Sequence, residues 1–167
     1  MGPGQLAQLY SSSPIVACDV SLNMVKLARE RLKQGGFVVC DAENLPFKNG
    51  SFDTVIGSEL IYYLHDPCSF VHGVSGVLSP GGQIILLWGN PTFNFVYRLA
   101  SIVGLRPTDP FALKTPSRAQ ILKMLASEFP ACRVEFHGIG LPLGMSKIRA
   151  DVVLTVSPVN AIVARVE

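Results

Sequence analysis

The sequence predicts a three-layer α/β domain with a mostly parallel sheet, and two features of its apolar pattern support that prediction. Its short apolar runs are continuous rather than alternating, which is typical of parallel strands buried on both faces. Segments with helical spacing of apolar residues separate several of these runs, as the right-handed crossovers of such a sheet require. The predicted strands are 15–18, 37–40, 52–57 and 83–88.

Length and composition favour a single domain over 1–167. Of the 167 residues, 49% are hydrophobic and only 16% are charged, which suits a compact core. The net charge is +2 and the basic residues are scattered, so the sequence predicts no nucleic-acid partner. Neither a secretory signal nor an apolar run of about 20 residues is found, which predicts a cytoplasmic protein without a membrane span.

The four cysteines predict free thiols rather than a metal site. Cys18, Cys40, Cys68 and Cys132 show neither CxxC pairing nor the spacing of metal ligands, and two of them lie in predicted strands. We therefore expect buried, reduced thiols.

Polar residues at the ends of the predicted strands mark the candidate site. Asp19 follows the first run, Asp41 the second, and Ser58 and Glu59 the third. Ligands of parallel sheets bind beyond the carboxyl ends of the strands, so these residues are expected to meet there. A carboxylate at such a strand end can accept hydrogen bonds from ribose hydroxyls, although Asp19 also suits the role of an ordinary acid preceding a helix.

Three helices are predicted from caps and apolar spacing. The first begins after Ser21 and runs to Lys33, the second has Asp66 as its cap and Pro67 as its first residue, and the third spans 116–129 with Thr115 as its cap. The apolar faces are expected to comprise Met24, Leu27, Ala28 and Leu32 on the first helix, Phe70, Val71, Val74 and Leu78 on the second, and Ile121, Leu122, Leu125 and Phe129 on the third.

The remaining segments predict a turn, two late strands and an insertion. Ser79–Gly82 suits a type II turn, and Val134 and Phe136 alternate as in a strand. Asn160–Val166 is the expected last strand, with 151–156 as the alternative. The aromatic-rich insertion at 90–114 is interpreted equally well as a substrate cover or as a surface helix.

Three motifs together identify a resemblance to a known family. They are DAENLPF from Asp41, SFDTVIGSELIYYLHDP from Ser51 and VLSPGGQIIL from Val77. In this order the sequence from Gly2 to Trp88 resembles the class I S-adenosylmethionine-dependent methyltransferases, in their ubiquinone/menaquinone-methyltransferase-like branch. The resemblance implies a Rossmann-like sandwich with an antiparallel last strand, S-adenosyl-L-methionine as cofactor, and methyl transfer to a small, apolar acceptor.

The resemblance also implies a set of cofactor-binding positions. They are Gly2 and Gly4 in the glycine loop, Asp19 with Val20 at the ribose, Met24 near adenine, Asp41 with Ala42 at the adenine amino group, and Ser58 and Glu59 along the sulfonium side. A glycine-rich start is by itself more typical of a loose terminus. Tyr62 and His65 are candidates for catalysis, each favoured more as a lining residue than as a base.

One departure from the family leaves alternatives open. The family's first strand precedes the glycine loop and lies in the middle of the sheet, whereas this sequence starts at Met1 without it. A truncated domain would have two unpaired strand edges, with which a homodimer partner or the C-terminal strand would pair. Two other functions remain open: a non-catalytic methyltransferase-like protein, and a nicotinamide oxidoreductase, because Gly2, Gly4 and Ala7 fit the dinucleotide fingerprint.

Overall fold

In the first half of the chain, one helix separates the first two strands and another separates the third strand from the fourth, as the sequence predicts. A computed structural model describes residues 14–32, 34–89, 115–139 and 159–166. The strands are β1 (Val16–Asp19), β2 (Gly36–Val39), β3 (Phe52–Ser58), β4 (Leu78–Gly89), β5 (Cys132–Ile139) and β6 (Val159–Val166), and the helices are α1 (Leu22–Arg31), α2 (Pro67–Val77) and α3 (Arg118–Glu128). The glycine loop, the insertion at 90–114 and the alternative last strand at 151–156 lie outside the described residues. None of the described helices is long and apolar enough to cross a membrane.

The strands form two sheets. In the first, β1 and β2 pair in parallel. In the second the order is β3-β4-β6-β5, with β3 and β4 parallel and β6 antiparallel to both of its neighbours. This arrangement confirms the mixed α/β fold and the antiparallel last strand expected at Asn160–Val166.

A gap separates the two sheets. Among the described residues, no strand pairs with β1 on the side away from β2, or with β3 on the side away from β4. The two predicted unpaired edges are therefore present in this part of the chain. The expectation that the C-terminal strand closes the gap is wrong, because β6 forms its hydrogen bonds with β4 and β5 instead.

The larger core lies where α2 and α3 pack on the four-stranded sheet. Its least exposed side chains include Val71 and Val74 of α2, Ile121 and Leu125 of α3, and Ile84, Trp88 and Ile162 of the sheet. Burial of each such side chain stabilises the fold by about 1.5 to 3 kcal/mol before conformational entropy is counted. The indole N–H of Trp88 donates to the Pro116 carbonyl at 3.2 Å, which satisfies its polar atom inside this core.

Helix α1 begins as predicted, but its buried face is rotated. The Ser21 hydroxyl accepts a hydrogen bond from the Met24 N–H, and the last helical residue is Arg31. Val25, Ala28 and Leu32 are buried, whereas Leu27 is 37% exposed. These three residues form a narrow stripe along one side of the helix. The predicted set forms a broader one, because Leu27 lies beside the buried stripe and not in it.

Helix α2 confirms both its predicted cap and its apolar face. The Asp66 carboxylate accepts from the Cys68 N–H at 2.9 Å, and hydrogen bonds from Ser69 lower the pKa of Asp66 below its usual value. Phe70, Val71, Val74 and Leu78 are all buried. The expectation of buried thiols is wrong for Cys68, which is exposed because it lies in the first turn of the helix, away from that face.

Helix α3 begins after Ser117 rather than after the predicted Thr115. Ser117 accepts from the Gln120 N–H, while the Gln120 side chain accepts from the Ser117 N–H. This reciprocal capping box satisfies two backbone donors at once, so it defines the first turn. Of the predicted inward residues, Leu122 is only half-buried, and Met124 is buried in addition to the others.

Strand β4 starts earlier than predicted because the turn at Ser79–Gly82 lies within it. Leu78 pairs with Phe52 and Gln83 with Thr54, so the turn residues form an insertion in the ladder. Gly81 has φ +76°, which is the conformation that the third position of a type II turn requires.

Candidate functional site

A cavity of about 340 Å³ lies in the gap between the two sheets. Its volume is within the range of small-molecule sites. Five consecutive residues of β3, 54–58, border it, so the unpaired edge of the strand and not one face forms this wall. The opposite wall includes Val16, Cys18 and Asp19 of β1. The carboxyl ends of the strands therefore open into the same space as the gap.

Asp19 combines a structural contact with a position on the cavity wall. Its Oδ1 accepts a hydrogen bond from the Ser21 N–H at 2.9 Å, just before α1 begins. The residue is half-buried and lines the cavity. Because a carboxylate has two oxygens that accept several hydrogen bonds, the helix-leading role and a ligand-binding role are compatible.

Asp41 has the same local arrangement at the end of the neighbouring strand. Its Oδ1 accepts from the Glu43 N–H at 3.0 Å, and within the described residues Oδ2 has no hydrogen-bond partner. The Cys40 N–H donates to the Asp19 carbonyl at 3.2 Å, which extends the strand ladder to the residue before Asp41. Strand pairing thus holds two carboxylates side by side at the cavity.

Glu43 joins the loop after β2 to the loop before α2. Its Oε1 accepts from the backbone N–H groups of His65 and Asp66, the second at 3.2 Å. Glu43 and His65 both line the cavity. The sequence interpretation did not single out Glu43, since only its place two residues after a strand-end acid marks it.

The end of β3 places Ser58 and Glu59 differently. Ser58 lines the cavity, and Glu59 does not. Glu59 has φ +52°, a left-handed conformation that is uncommon for a residue other than glycine and is often found at functional sites. Its N–H donates to the Leu87 carbonyl at 2.8 Å, which fixes this bend against β4.

The two catalytic candidates also differ in position. The Tyr62 hydroxyl donates to the Glu59 carboxylate, and Tyr62 packs against the large core rather than lining the cavity. His65 lines the cavity and is exposed, as is Tyr63. Of the polar side chains in the loop after β3, those of Tyr63 and His65 are therefore the ones on the cavity wall among the described residues.

Some of the other predicted cofactor positions line the cavity and others do not. Val20 and Ala42 line the cavity beside the two acids. Met24 is half-buried in α1 and does not line it. Gly2 and Gly4 lie outside the described residues. Lining residues that the sequence interpretation missed include Val16, Cys18, Cys40, Glu43, Leu45, Thr54 and Leu64.

A family model described as a methyltransferase domain matches residues 1–86, which is more than half of the chain. This chain belongs to the class I S-adenosylmethionine-dependent methyltransferases. The matched region contains the cavity, both strand-end acids and the segment after β3. The family confirms the predicted resemblance and favours neither the nicotinamide oxidoreductase nor the non-catalytic alternative.

Curated relatives of this chain include proteins named for demethylmenaquinone methylation and for ubiquinone/menaquinone biosynthesis. It is 28% identical over 139 residues to a demethylmenaquinone methyltransferase from Paenarthrobacter aurescens, covering 81% of this chain and 55% of that protein. It is 33% identical over 103 residues to the ubiquinone/menaquinone biosynthesis C-methyltransferase UbiE from Desulfotalea psychrophila, covering 58% of this chain and 42% of that protein. The chain thus spans about half the length of these curated relatives.

A solved structure supports the fold. A SAM-dependent methyltransferase from Thermotoga maritima superimposes with a TM-score of 0.72 at 18% identity, covering 99% of this chain and 78% of that one. Likeness at this identity shows the Rossmann-like fold, while the function is argued from the site. Acids at two adjacent strand ends suit a nucleoside with ribose hydroxyls and an amino group, so the described residues fit S-adenosylmethionine.

Proposed function

We propose that this methyltransferase transfers a methyl group from S-adenosylmethionine to a small, apolar acceptor. The observation that carries the proposal is the placement of Asp19, Asp41 and Ser58, each at a strand end, on the wall of one cavity. The names of the curated relatives, which act on demethylmenaquinone or in quinone biosynthesis, support an apolar acceptor. The single domain is taken to span 1–167.

The cofactor-binding roles are those that the family resemblance implies, and they are compatible with the positions of these residues on the cavity wall. Asp19 would accept hydrogen bonds from the ribose hydroxyls, and Asp41 would accept one from the adenine amino group. Ser58 would contact the sulfonium side, while Val20 and Ala42 would give apolar contacts beside the acids. We assign contacts with the amino-acid moiety to Gly2 and Gly4, and contacts near adenine and the sulfonium to Met24 and Glu59, on the family resemblance alone.

Alignment and exclusion of water are the main tasks of the protein in this reaction. When bound, S-adenosylmethionine supplies an electrophilic methyl group on a positively charged sulfur. The chain would hold the acceptor in line with the bond between this sulfur and the methyl carbon. Apolar residues such as Leu60 and Leu64 keep water from the cavity wall. A base is needed only if the acceptor loses a proton, and His65 is the candidate that lines the cavity.

Two further features complete the proposal. We assign to the aromatic insertion at 90–114, on its sequence alone, the role of covering the acceptor. A homodimer partner pairs with the edges of β1 and β3 that have no strand partner among the described residues. We place the enzyme in the cytoplasm, with no nucleic-acid partner.

The test of the cofactor site is the affinity for S-adenosylhomocysteine in isothermal titration calorimetry. Asp19→Asn and Asp41→Asn each keep an oxygen that accepts the local backbone hydrogen bond but remove the charge. A hydrogen bond to a charged group contributes about 1.5 to 3 kcal/mol, so we expect each variant to bind about tenfold more weakly.

Glu30→Gln is the matched control, because Glu30 is an exposed carboxylate of α1 that does not line the cavity. It should bind as the parent chain does. Unchanged affinity in both aspartate variants, with intact circular-dichroism spectra, would exclude these two acids from the cofactor site.

A further inference from the structure

Two thiols meet where β1 and β2 run side by side. Cys18 pairs with Val38 in the parallel ladder, and side chains two residues apart on a strand point to the same face. Cys40 therefore lies on the same face as Cys18, as its diagonal neighbour on the adjacent strand. Both residues are half-buried and line the cavity, and Cys18 is near enough to Cys40 to contribute to the raised pKa of the Cys40 thiol.

We propose that Cys18 and Cys40 form a reversible disulfide that controls the cofactor site. The other two cysteines are placed differently: Cys68 is exposed on α2, and Cys132 of β5 packs against the core of the other sheet. Only the Cys18 and Cys40 thiols border the cavity among the described residues. The sequence spacing does not reveal this pair, because their proximity depends on strand register.

Closure of this disulfide requires a small displacement. Parallel strands lie about 4.8 Å apart and two residues advance about 6.6 Å, so diagonal neighbours are about 8 Å apart between Cα atoms, whereas a disulfide spans about 4.4 to 6.8 Å. The end of β2 must therefore move toward β1. Cys40 immediately precedes Asp41, and Cys18 immediately precedes Asp19, so the same movement changes the spacing of the two carboxylates. This second part of the inference rests on the proposed cofactor site.

The reaction is a thiol–disulfide exchange with a small disulfide such as oxidised glutathione. One protein thiol loses its proton, attacks a glutathione sulfur and releases one glutathione thiolate. The second protein thiolate then attacks the first protein sulfur and releases the other glutathione. Two protein thiols are oxidised to one disulfide, and one glutathione disulfide is reduced to two thiols.

Burial of Cys40, together with the charges around it, makes this exchange slow at neutral pH. Burial, the neighbouring Cys18 and the carboxylates of Asp41 and Asp19 raise the pKa of Cys40 to about 12. Whichever thiol attacks first, Cys40 acts once as the nucleophile, because each protein sulfur attacks once along either route. The rate of closure should therefore increase with pH throughout the range below that value.

The experiment uses the variant Cys68→Ser/Cys132→Ala, which keeps only the proposed pair. We expect oxidised glutathione at mildly alkaline pH to lower its mass by two hydrogen atoms and to give a linked peptide that contains Cys18 and Cys40. Dithiothreitol should reverse both changes. The matched control, Cys18→Ala in the same background, should show no such mass loss. A stable glutathione adduct on Cys18 or Cys40 without closure would overturn the proposal.

The affinity for S-adenosylhomocysteine separates this inference from the proposed function. We expect the oxidised form to bind about tenfold more weakly than the reduced form, which is the effect of losing one hydrogen bond to a charged group. Equal affinities would overturn control by the disulfide. Absence of binding in both forms, with the disulfide formed, would contradict the proposed cofactor site and leave the disulfide itself supported.

Discussion

At the scale of single residues, Glu43 has an effect larger than its position in a loop suggests. One carboxylate oxygen accepts two backbone N–H groups, from His65 and Asp66, more than twenty residues further along the chain. These contacts place the loop after β2 against the start of α2. The position of His65 at the cavity therefore depends on Glu43.

Glu43→Ala should lower the free energy of unfolding by about 1 to 2 kcal/mol, because two backbone donors lose a charged acceptor. Urea denaturation measures this change. Glu43→Gln keeps an acceptor oxygen on a side chain of similar length, so its free energy of unfolding should decrease clearly less. Equal destabilisation by the two substitutions would mean that the side-chain packing of Glu43, and not its hydrogen bonds, holds the loops.

The candidate site was predictable at the residue scale where it depends on strand ends. Asp19, Asp41 and Ser58 follow apolar runs, and parallel strands bring such residues to one edge of a sheet, so a single sequence is enough to find them. Glu43 and the Cys18–Cys40 pair were not predictable in this way. Their contacts depend on strand register and on how two loops approach each other, which local patterns do not encode.

At the scale of secondary-structure elements, β3 is held tightly between β4 and α2. Gly57 has no side chain at the point where the strand passes the core. A Cβ atom added there would lie 2.9 Å from Leu86 Cδ2 and 3.3 Å from Phe70 Cζ. Both neighbours are buried, so they have little room to move.

Gly57→Ala should therefore lower the free energy of unfolding by about 1 to 3 kcal/mol through overpacking. The matched substitution is Gly76→Ala in α2, where a new Cβ would lie 3.7 Å from Asn49 Oδ1, an ordinary contact distance. Alanine favours a helix over glycine by up to about 1 kcal/mol, so this variant should be neutral or more stable. Thermal unfolding compares the two, and a neutral Gly57→Ala would show that β3 can shift relative to the core.

The element boundaries were predicted well where one local signal acts alone. Ser21 and Asp66 were recognised because each is a good N-cap ahead of an apolar face. The prediction of Thr115 as the cap of α3 is wrong. Ser117 is an equally good cap, and Gln120, with which it forms the capping box, lies further along the helix. The rotated face of α1 has a similar cause, since Leu27 is apolar but lies outside the stripe that contacts the two-stranded sheet.

At the scale of the whole molecule, we expect the gap between β1 and β3 to determine how firmly the proposed cofactor site is assembled. The resemblance to the family predicted the mixed sheet and its open edges, because the order of motifs determines the order of strands. The resemblance did not predict how rigidly the two sheets are positioned relative to each other across the gap. Asp19 and Asp41 belong to one sheet and Ser58 to the other, so a bound nucleoside would connect both.

We expect S-adenosylhomocysteine to stabilise the present chain only slightly, and to stabilise a variant with an apolar strand added before Met1 more strongly. A ligand at a hundred times its dissociation constant adds about 2.7 kcal/mol to stability, which corresponds to roughly 5 to 10 °C in Tm for a chain of this length. Differential scanning fluorimetry of the two proteins measures the difference. Equally large shifts would show that the gap does not weaken the site.

The position of Trp88 gives this protein an internal optical probe. It is the only tryptophan in the sequence, it is 1% exposed, and it belongs to β4. Its fluorescence emission therefore reports solvent exposure of the part of the protein that contains the four-stranded sheet. It does not report on the part that contains β1, β2 and α1. Circular dichroism averages over both halves. Overlaying the two signals during chemical denaturation would show directly whether the halves unfold as one cooperative unit or in sequence.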